Sequence, residues 1–190
     1  MIDRNQFMVI LRSFCRTMLQ KAYGPIVIMT TYVDANLCHD FITGKSVTGI
    51  VHLLNQTIVD YFSKKQPLVE TATYGSEFMA ARTATEQIME IRTTLRYLGV
   101  NLVGSTYMFG DNKTVVDSSS KPKSRLHKRH VILSYHRVRE AIAAGIIKFI
   151  FIHSELNPAD ILTKLWGYQQ IKTKLKAMLF WKGDTADIEQ

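Results

Sequence analysis

Cysteine is scarce in this sequence of 190 residues, which has two, Cys15 and Cys38, and no CxxC pair. A disulfide framework and a cysteine-based zinc site therefore have no support. Long apolar runs are also missing, because the longest, "IIKFIFIH", contains a lysine and falls short of the roughly 18 residues of a membrane span. The N-terminus has no secretory signal. We expect a protein of a reducing compartment, cytoplasmic or nuclear, with no membrane partner and no secretion.

Linkers and internal repeats are lacking too, and a chain of this length suits one good hydrophobic core. We therefore expect one domain at 25–166. The amphipathic stretch at 1–24 is interpreted as a helical segment left over from a preceding connection. A basic amphipathic helix and a tail are expected at 167–190.

Acidic residues are outnumbered, since 24 lysines and arginines face 16 aspartates and glutamates, for a net charge of +8. Such an excess favours a polyanionic partner. Basic residues are densest in "KPKSRLHKRH" at 121–130, the basic segment, for which a solvated loop and helix start is the alternative. Its candidate phosphate contacts are Lys121, Lys123, Arg125, Lys128 and Arg129.

Hydrophobic patterns predict the element order β-β-β-α-β-α-α-β-α. The run "IVIMTTYVD" is typical of a buried strand that ends on Asp34, and two further β-prone runs turn at Asn55 and Gln56. Apolar residues at steps of three and four then predict a long helix that stops at Gly99. A meander followed by alternating helices and strands predicts an α/β fold, with a mixed five-stranded sheet and helices on both faces.

Four carboxylates fall at the ends of these predicted elements. Asp34 ends the first strand, Asp111 ends the fourth, Glu77 lies in the first turn of the long helix, and Asp160 begins the last helix. Sites in open α/β sheets gather at the carboxyl ends of parallel strands. We therefore expect an acidic cleft. Each residue also has a structural alternative as a strand end, a helix cap or a partner of a helix dipole.

For Asp160 that alternative is concrete. In "NPADILTK", Asn157 as N-cap and Pro158 at the first helical position would start a helix well, with Asp160 completing the cap. The interpretation of Asp160 as a functional residue depends on all four acids meeting in one cleft. Carboxylates in one cleft repel one another unless cations intervene, and hard oxygen ligands suit Mg²⁺ or Mn²⁺. Two such ions support in-line attack on a phosphodiester, so a basic chain with an acidic cleft is a candidate nuclease.

An ordered set of motifs carries a resemblance to a known family. The segments "YVDAN", "SKKQPLVETATYGSEFMAA", "GDNKTVV", "KRHVILSYHRVREAI" and "NPADILTK" resemble the ribonuclease H domain that follows reverse transcriptase in copia-type retrotransposon Pol polyproteins. The resemblance covers nearly all of residues 28–166. It implies a ribonuclease H-like fold and an endonuclease that cuts the RNA strand of RNA–DNA hybrids.

The resemblance also implies roles for individual residues. Asp34, Glu77, Asp111 and Asp160 would be the catalytic acids and would hold two metal ions, Mg²⁺ or alternatively Mn²⁺. Asn36 stands where many members have a second aspartate, outside the metal set. The implied partners are the hybrid and the reverse transcriptase domain of the same polyprotein, and the implied location is a cytoplasmic retroelement particle or the nucleus.

Other residues carry weaker expectations. Ser46 and Lys64 match family positions and are candidate contacts to the nucleic acid backbone, together with Asn112, although edge-strand polarity explains the first two equally well. His153 is a candidate proton shuttle because imidazole titrates near neutrality. A strand-end surface histidine is its alternative.

Two rival functions stay open. A catalytically silent retroelement remnant would keep the fold and bind nucleic acid or a protein partner. An integrase or transposase core would share a similar sheet, but the order Asp-Glu-Asp-Asp, with Glu77 between the first two aspartates, disfavours it.

Overall fold

The structure is a computed structural model that describes residues 23–40, 42–124, 126, 129–167, 169–171 and 174–175. The strands are β1 (Tyr23–Val27), β2 (Met29–Asp40), β3 (Lys45–Leu54), β4 (Thr57–Lys65), β5 (Val100–Leu102), β6 (Thr106–Gly110) and β7 (Ile147–Phe151). The α-helices are α1 (Thr73–Tyr97), α2 (Lys113–Ser120) and α3 (Ile132–Ala143). Short 3₁₀ helices are formed by Arg129–Val131, Ser154–Leu156 and Pro158–Leu162.

Five strands form the main sheet in the order β4-β3-β2-β6-β7. The pairs β4/β3 and β3/β2 are antiparallel, whereas β2/β6 and β6/β7 are parallel. The predicted mixed sheet, a meander continued by parallel strands, is therefore confirmed. A second sheet of two parallel strands, β1 and β5, was not predicted.

The first predicted strand differs from the observed one. Its run is split at Ile28 into β1 and β2, and β2 continues to Asp40, so that Asp34 lies inside a strand rather than at its end. The two sides of β2 explain this difference. Its parallel pairing with β6 stops at Val33 and Gly110, while its antiparallel pairing with β3 continues past Asp34.

The hydrophobic core lies between α1 and the sheet. Phe78 and Ile88 of α1 are fully buried against Val33, Met108 and neighbouring apolar side chains. Because successive side chains of a strand point to opposite faces, Val33 faces this core and Asp34 faces away from it. Helical segments thus lie on both sides of the sheet, since the 3₁₀ helix Pro158–Leu162 covers the second face.

That 3₁₀ helix replaces the α-helix predicted after Asn157. The side-chain oxygen of Asn157 accepts a hydrogen bond from the Ala159 amide at 3.2 Å, so its predicted capping role is confirmed. Its amide also donates to the Val33 carbonyl at 2.9 Å, which ties the helix start to β2.

Both ends of the sequence fall largely outside the described residues. The predicted helical segment is described only at residues 23 and 24, which belong to β1, and most of the predicted C-terminal helix is not described. The domain limits of 25 and 166 stay predictions. No helix in the described ranges is both long enough and apolar enough to cross a bilayer.

Candidate metal centre

Three of the four predicted acids meet at one edge of the sheet. Asp34, Glu77 and Asp111 each offer a carboxylate oxygen within 4.8 Å of the others. Asp34 follows the last β2 residue paired with β6, Asp111 directly follows β6, and Glu77 projects from α1. Glu77 lies beyond the first turn of α1, which contains no acidic residue, so the prediction that placed it there was wrong.

Close backbone packing sets the positions of Asp34 and Asp111. A Cβ at Gly110, the residue before Asp111, would lie 3.0 Å from the Phe149 ring. A Cβ at Gly49, which pairs with Asp34, would lie 2.7 Å from the Ala159 carbonyl oxygen. Glycine at position 110 therefore leaves room for the Phe149 ring, and glycine at position 49 lets the 3₁₀ helix approach β3.

The three clustered acids resist ionisation. Asp34 is 2% exposed, and this burial, with added repulsion from Asp111 and Asp160, raises its pKa to about 6 against the opposing hydrogen bond from Thr163. Burial also raises the pKa of Glu77 well above its ordinary value, and Asp34 and Asp111 raise it further. Burial raises the pKa of Asp111 as well. The cluster therefore carries full negative charge only at a high free-energy cost.

A divalent cation would offset that cost. The donors are three carboxylates at mutual distances a single ion can bridge, and hard oxygen donors are those that Mg²⁺ and Mn²⁺ prefer. The residues therefore fit the ion that the sequence predicts. Asp34, Glu77 and Asp111 are the residues that would hold it.

Asp160 lies near the cluster but has other partners. It is 2% exposed, and its two oxygens accept hydrogen bonds from Lys164 and, at 2.9 Å, from Lys174. Its negative charge still raises the pKa of Asp34 and of Asp111. In the described part of the chain, the Asp160 carboxylate does not cap the helix, so the structural alternative to a functional role loses its main support.

Thr163 and Lys164 are site residues that the sequence analysis missed. The Thr163 hydroxyl donates to Asp34 and lies 3.2 Å from the Asp160 carbonyl oxygen. Burial lowers the pKa of Lys164, but the hydrogen bond to Asp160 and the charges of Asp34 and Asp111 outweigh it and raise that pKa. The available signal was spacing, because a residue three positions after Asp160 returns to the same side of a 3₁₀ helix.

Asn36 lies beside the cluster without joining it. Its amide donates to the Thr163 carbonyl at 3.1 Å and is 3.0 Å from His39 Nδ1. That Asn36 stands outside the metal set stays a prediction.

The candidate nucleic acid contacts divide by exposure. Lys64 is exposed on β4, and Asn112 is half-buried and caps α2 by accepting from the Val115 amide at 3.2 Å. Ser46 is fully buried and its hydroxyl accepts from the Cys38 amide, so its side chain is not placed to touch a nucleic acid. This burial does not favour the expected contact of Ser46 with the nucleic acid backbone, which stays a prediction.

The basic segment is partly described. Lys121, Lys123 and Arg129 are exposed, whereas Arg125 and Lys128 lie outside the described residues. Lys121 pairs with Asp117 at 3.1 Å. A cavity of about 430 Å³ beside α2 is lined by Lys113, Thr114, Asp117, Ser118, Lys121, Lys123 and Ser124.

His153 is exposed and stacks edge-on against Phe151, with ring centroids 5.4 Å apart. The hydrogen bonds of the described residues do not join His153 to the acids. Its role as a proton shuttle stays a prediction.

The order and direction of these strands and helices define the fold. The chain has the ribonuclease H fold, which it shares with a ribonuclease H1 isolated from compost by a metagenomic approach (TM-score 0.56, 15% identity, 72% of this chain and 92% of that one). The N-terminal ribonuclease H domain of a Mycobacterium tuberculosis protein is similarly related (TM-score 0.56, 11% identity, 80% and 98%).

The sequence relatives confirm the predicted resemblance to retrotransposon polyproteins. The chain is 27% identical over 142 residues, 75% of its length, to the retrovirus-related Pol polyprotein from transposon TNT 1-94 of Nicotiana tabacum. It is 23% identical over 141 residues to that from transposon RE2 of Arabidopsis thaliana. The matched region spans only 11% and 10% of these relatives. No known family model matches the chain.

Proposed function

We propose that this chain is a divalent-metal-dependent endonuclease that cleaves the RNA strand of RNA–DNA hybrids. The observation that carries the proposal is the cluster of Asp34, Glu77 and Asp111, with oxygens within 4.8 Å of one another, at the edge of a ribonuclease H fold. The relatives' name, Pol polyprotein, supports a place for this reaction in reverse transcription.

The acids supply the binding site for the metal. Asp34, Glu77 and Asp111 would hold one Mg²⁺ or Mn²⁺ ion, and Asp160 would hold a second. When bound, such ions activate a water for in-line attack and stabilise the leaving oxygen. Thr163 orients Asp34 by donating to its carboxylate, so that one oxygen is fixed before an ion arrives.

A hybrid substrate has support in a related structure and in the charge of this chain. The compost ribonuclease H1 is also known in complex with an RNA/DNA hybrid, and that structure has a TM-score of 0.54 and 16% identity to this chain. Here Lys64, Lys121 and Lys123 are exposed and suited to phosphate contact. Selectivity for the RNA strand would rest on contacts to the 2′-hydroxyl.

The reverse transcriptase domain of the same polyprotein is the proposed partner. The match covers about a tenth of the relatives' length, which leaves room in a Pol polyprotein of that kind for such a domain. We propose that the chain acts beside it in a retroelement particle in the cytoplasm or in the nucleus.

Substrate selectivity and the role of Glu77 are tested together. Purified full chain, with Mg²⁺, is incubated with an end-labelled RNA–DNA hybrid and with matched DNA and RNA duplexes. We expect cleavage of the hybrid's RNA strand alone, and its loss in Glu77→Gln. Glu90→Gln, an exposed acid on the same helix, serves as the control and should cleave normally.

Equal cleavage by Glu77→Gln would contradict the proposed site. Binding of the hybrid without any cleavage, weakening steeply with salt, would instead indicate the catalytically silent remnant.

A further inference from the structure

Asp160 is held by two cations at once. Lys174 Nζ lies 2.9 Å from Oδ2, and Lys164 donates to Oδ1, so each carboxylate oxygen has an ammonium partner. The Asp160 side chain is only 3% exposed, which makes an unpaired charge there costly. The two lysines therefore compensate the negative charge of Asp160, as a metal ion would compensate the charges of the other three acids.

Lys174 is fixed by more than this ion pair. Its ammonium lies 4.0 Å from the centroid of the Trp166 ring, a favourable cation–π distance. The Trp166 indole in turn donates to the Asp160 carbonyl oxygen at 3.1 Å. Lys164, Trp166 and Lys174 form a connected group around Asp160, which we name the lysine clamp.

Among the described residues, the other three acids lack such partners. Asp34 accepts a hydrogen bond from the Thr163 hydroxyl, Glu77 and Asp111 accept from backbone amides, and a described lysine bonds to none of the three. Lys164 acts on Asp34 and Asp111 through its charge alone. A divalent ion entering their cluster displaces no ammonium, whereas an ion that binds Asp160 must compete with two.

We propose that the lysine clamp makes the two metal positions unequal, and that Lys174 limits binding of the second ion at Asp160. Asp34, Glu77 and Asp111 would hold the first ion. Lys174 would have to leave Asp160 before that carboxylate could hold the second. This inference deepens the proposed function and rests on it in one respect, that divalent ions bind at these acids.

Lys174 rather than Lys164 is the mobile partner in this proposal. Lys164 is close to Asp160 in sequence and is also attracted by the charges of Asp34 and Asp111, so it gains by staying. Lys174 comes from a separate segment, fourteen positions after Asp160, and its described contacts are to Asp160 and Trp166. Departure of the Lys174 ammonium would free the Oδ2 atom of Asp160 and leave the three-acid cluster unchanged.

The test measures Mn²⁺ binding to the full chain without nucleic acid. Calorimetry and electron paramagnetic resonance report the number of bound ions and their affinities. We expect one tighter ion and one weaker ion in the wild type. Lys174→Met should tighten the weaker ion by about tenfold, since one competing charge is gone. Lys174→Arg keeps the charge and should leave the second ion weak. Asp160→Asn should keep the first ion and lose the second.

Lys148→Met is the matched control, because Lys148 is exposed on β7 and lies over the Tyr107 ring. It removes the same charge and should change neither ion. Lys164→Met provides a second variant in the clamp and should also tighten the weaker ion. Circular dichroism checks that each variant is folded.

The proposal is overturned if the wild type binds two ions with equal affinity, or if folded Lys174→Met and Lys164→Met leave the second ion as weak as before. Failure of the proposed function looks different. If the chain shows the unequal Mn²⁺ binding but cuts no hybrid, the lysine clamp stands and the proposed nuclease function is contradicted. If the chain binds no Mn²⁺, both proposals are contradicted.

Discussion

At the residue scale, Asp34 is where opposing electrostatic influences meet. Burial and the charges of Asp111 and Asp160 favour its protonated form, while the Thr163 hydroxyl and the Lys164 charge favour the carboxylate. The resulting pKa of Asp34 is about 6. Near neutral pH a cation therefore needs to displace little or no proton from Asp34 itself. The same burial that prepares Asp34 for a metal makes the metal-free protein less stable when the acid ionises.

Replacing Asp34 by asparagine should stabilise the metal-free protein at pH 7. The folded pKa of about 6 lies above the ordinary 3.8, so the contribution of Asp34 to stability is full below pH 3.8 and is lost as pH rises through 6. Asp34→Asn removes this loss and should raise the free energy of unfolding by about 3 kcal/mol at pH 7. Urea unfolding in a chelator at pH 7 measures it. A variant less stable than the wild type at pH 7 would contradict the account.

Thr163→Val should raise the pKa of Asp34 above about 6, because the variant loses the hydroxyl that donates to its carboxylate. Mn²⁺ binding, measured from pH 5 to 8, should then shift its midpoint to higher pH. Thr163→Ser keeps the hydroxyl and should behave as the wild type. Matching pH profiles for the valine and serine variants would show that the hydrogen bond has no such effect.

At the element scale, the 3₁₀ helix Pro158–Leu162 brings Asp160 next to the cluster of the other three acids. It crosses the sheet at Gly49, and the Leu162 carbonyl accepts a hydrogen bond from Ser63 at 2.7 Å. Gly49 and Ser63 are paired residues in line with Asp34, so the segment is seated on the same face as that acid. This seating places Thr163 against Asp34.

Gly49→Ala should lift the 3₁₀ helix from the sheet. The new Cβ would lie 2.6 Å from Thr163 Cγ2 and 2.7 Å from a backbone oxygen, which cannot yield cheaply. We expect a loss of about 1–3 kcal/mol in the free energy of unfolding and weaker Mn²⁺ binding. Gly167→Ala, whose Cβ would meet nothing nearer than 3.9 Å, is the control. Wild-type stability in Gly49→Ala would contradict this seating.

At the scale of the whole molecule, hydrophobic period and turn residues were sufficient for the main sheet. Strand runs, the long α1 and the Asn157 cap all have local signals. The small β1/β5 sheet and the split at Ile28 have none, because pairing between Tyr23 and Val100 is decided by tertiary packing. The sequence also grouped the four acids in one site, because each was predicted at the end of a strand or at the start of a helix. The pairing of Asp160 with Lys174 depends on how a distant segment folds back, which spacing alone does not encode.

The basic surface should govern affinity rather than cleavage chemistry. Lys121→Gln combined with Lys123→Gln should weaken hybrid binding and reduce the slope of log affinity against log salt by about 1–2. Fluorescence anisotropy over a salt series measures this slope, with Lys148→Gln as the control. An unchanged slope would place the hybrid elsewhere on the molecule.

The most direct measurement is cleavage of a labelled RNA–DNA hybrid by the purified chain over a Mg²⁺ titration, with Asp111→Asn and Asp60→Asn prepared in parallel. Asp60 is exposed on β4, so its variant tests for effects of charge loss alone. The account predicts Mg²⁺-dependent cuts in the RNA strand that leave 3′-hydroxyl and 5′-phosphate ends, retained in Asp60→Asn and abolished in Asp111→Asn. Absence of cleavage by the folded wild type, or equal cleavage by Asp111→Asn, would contradict it.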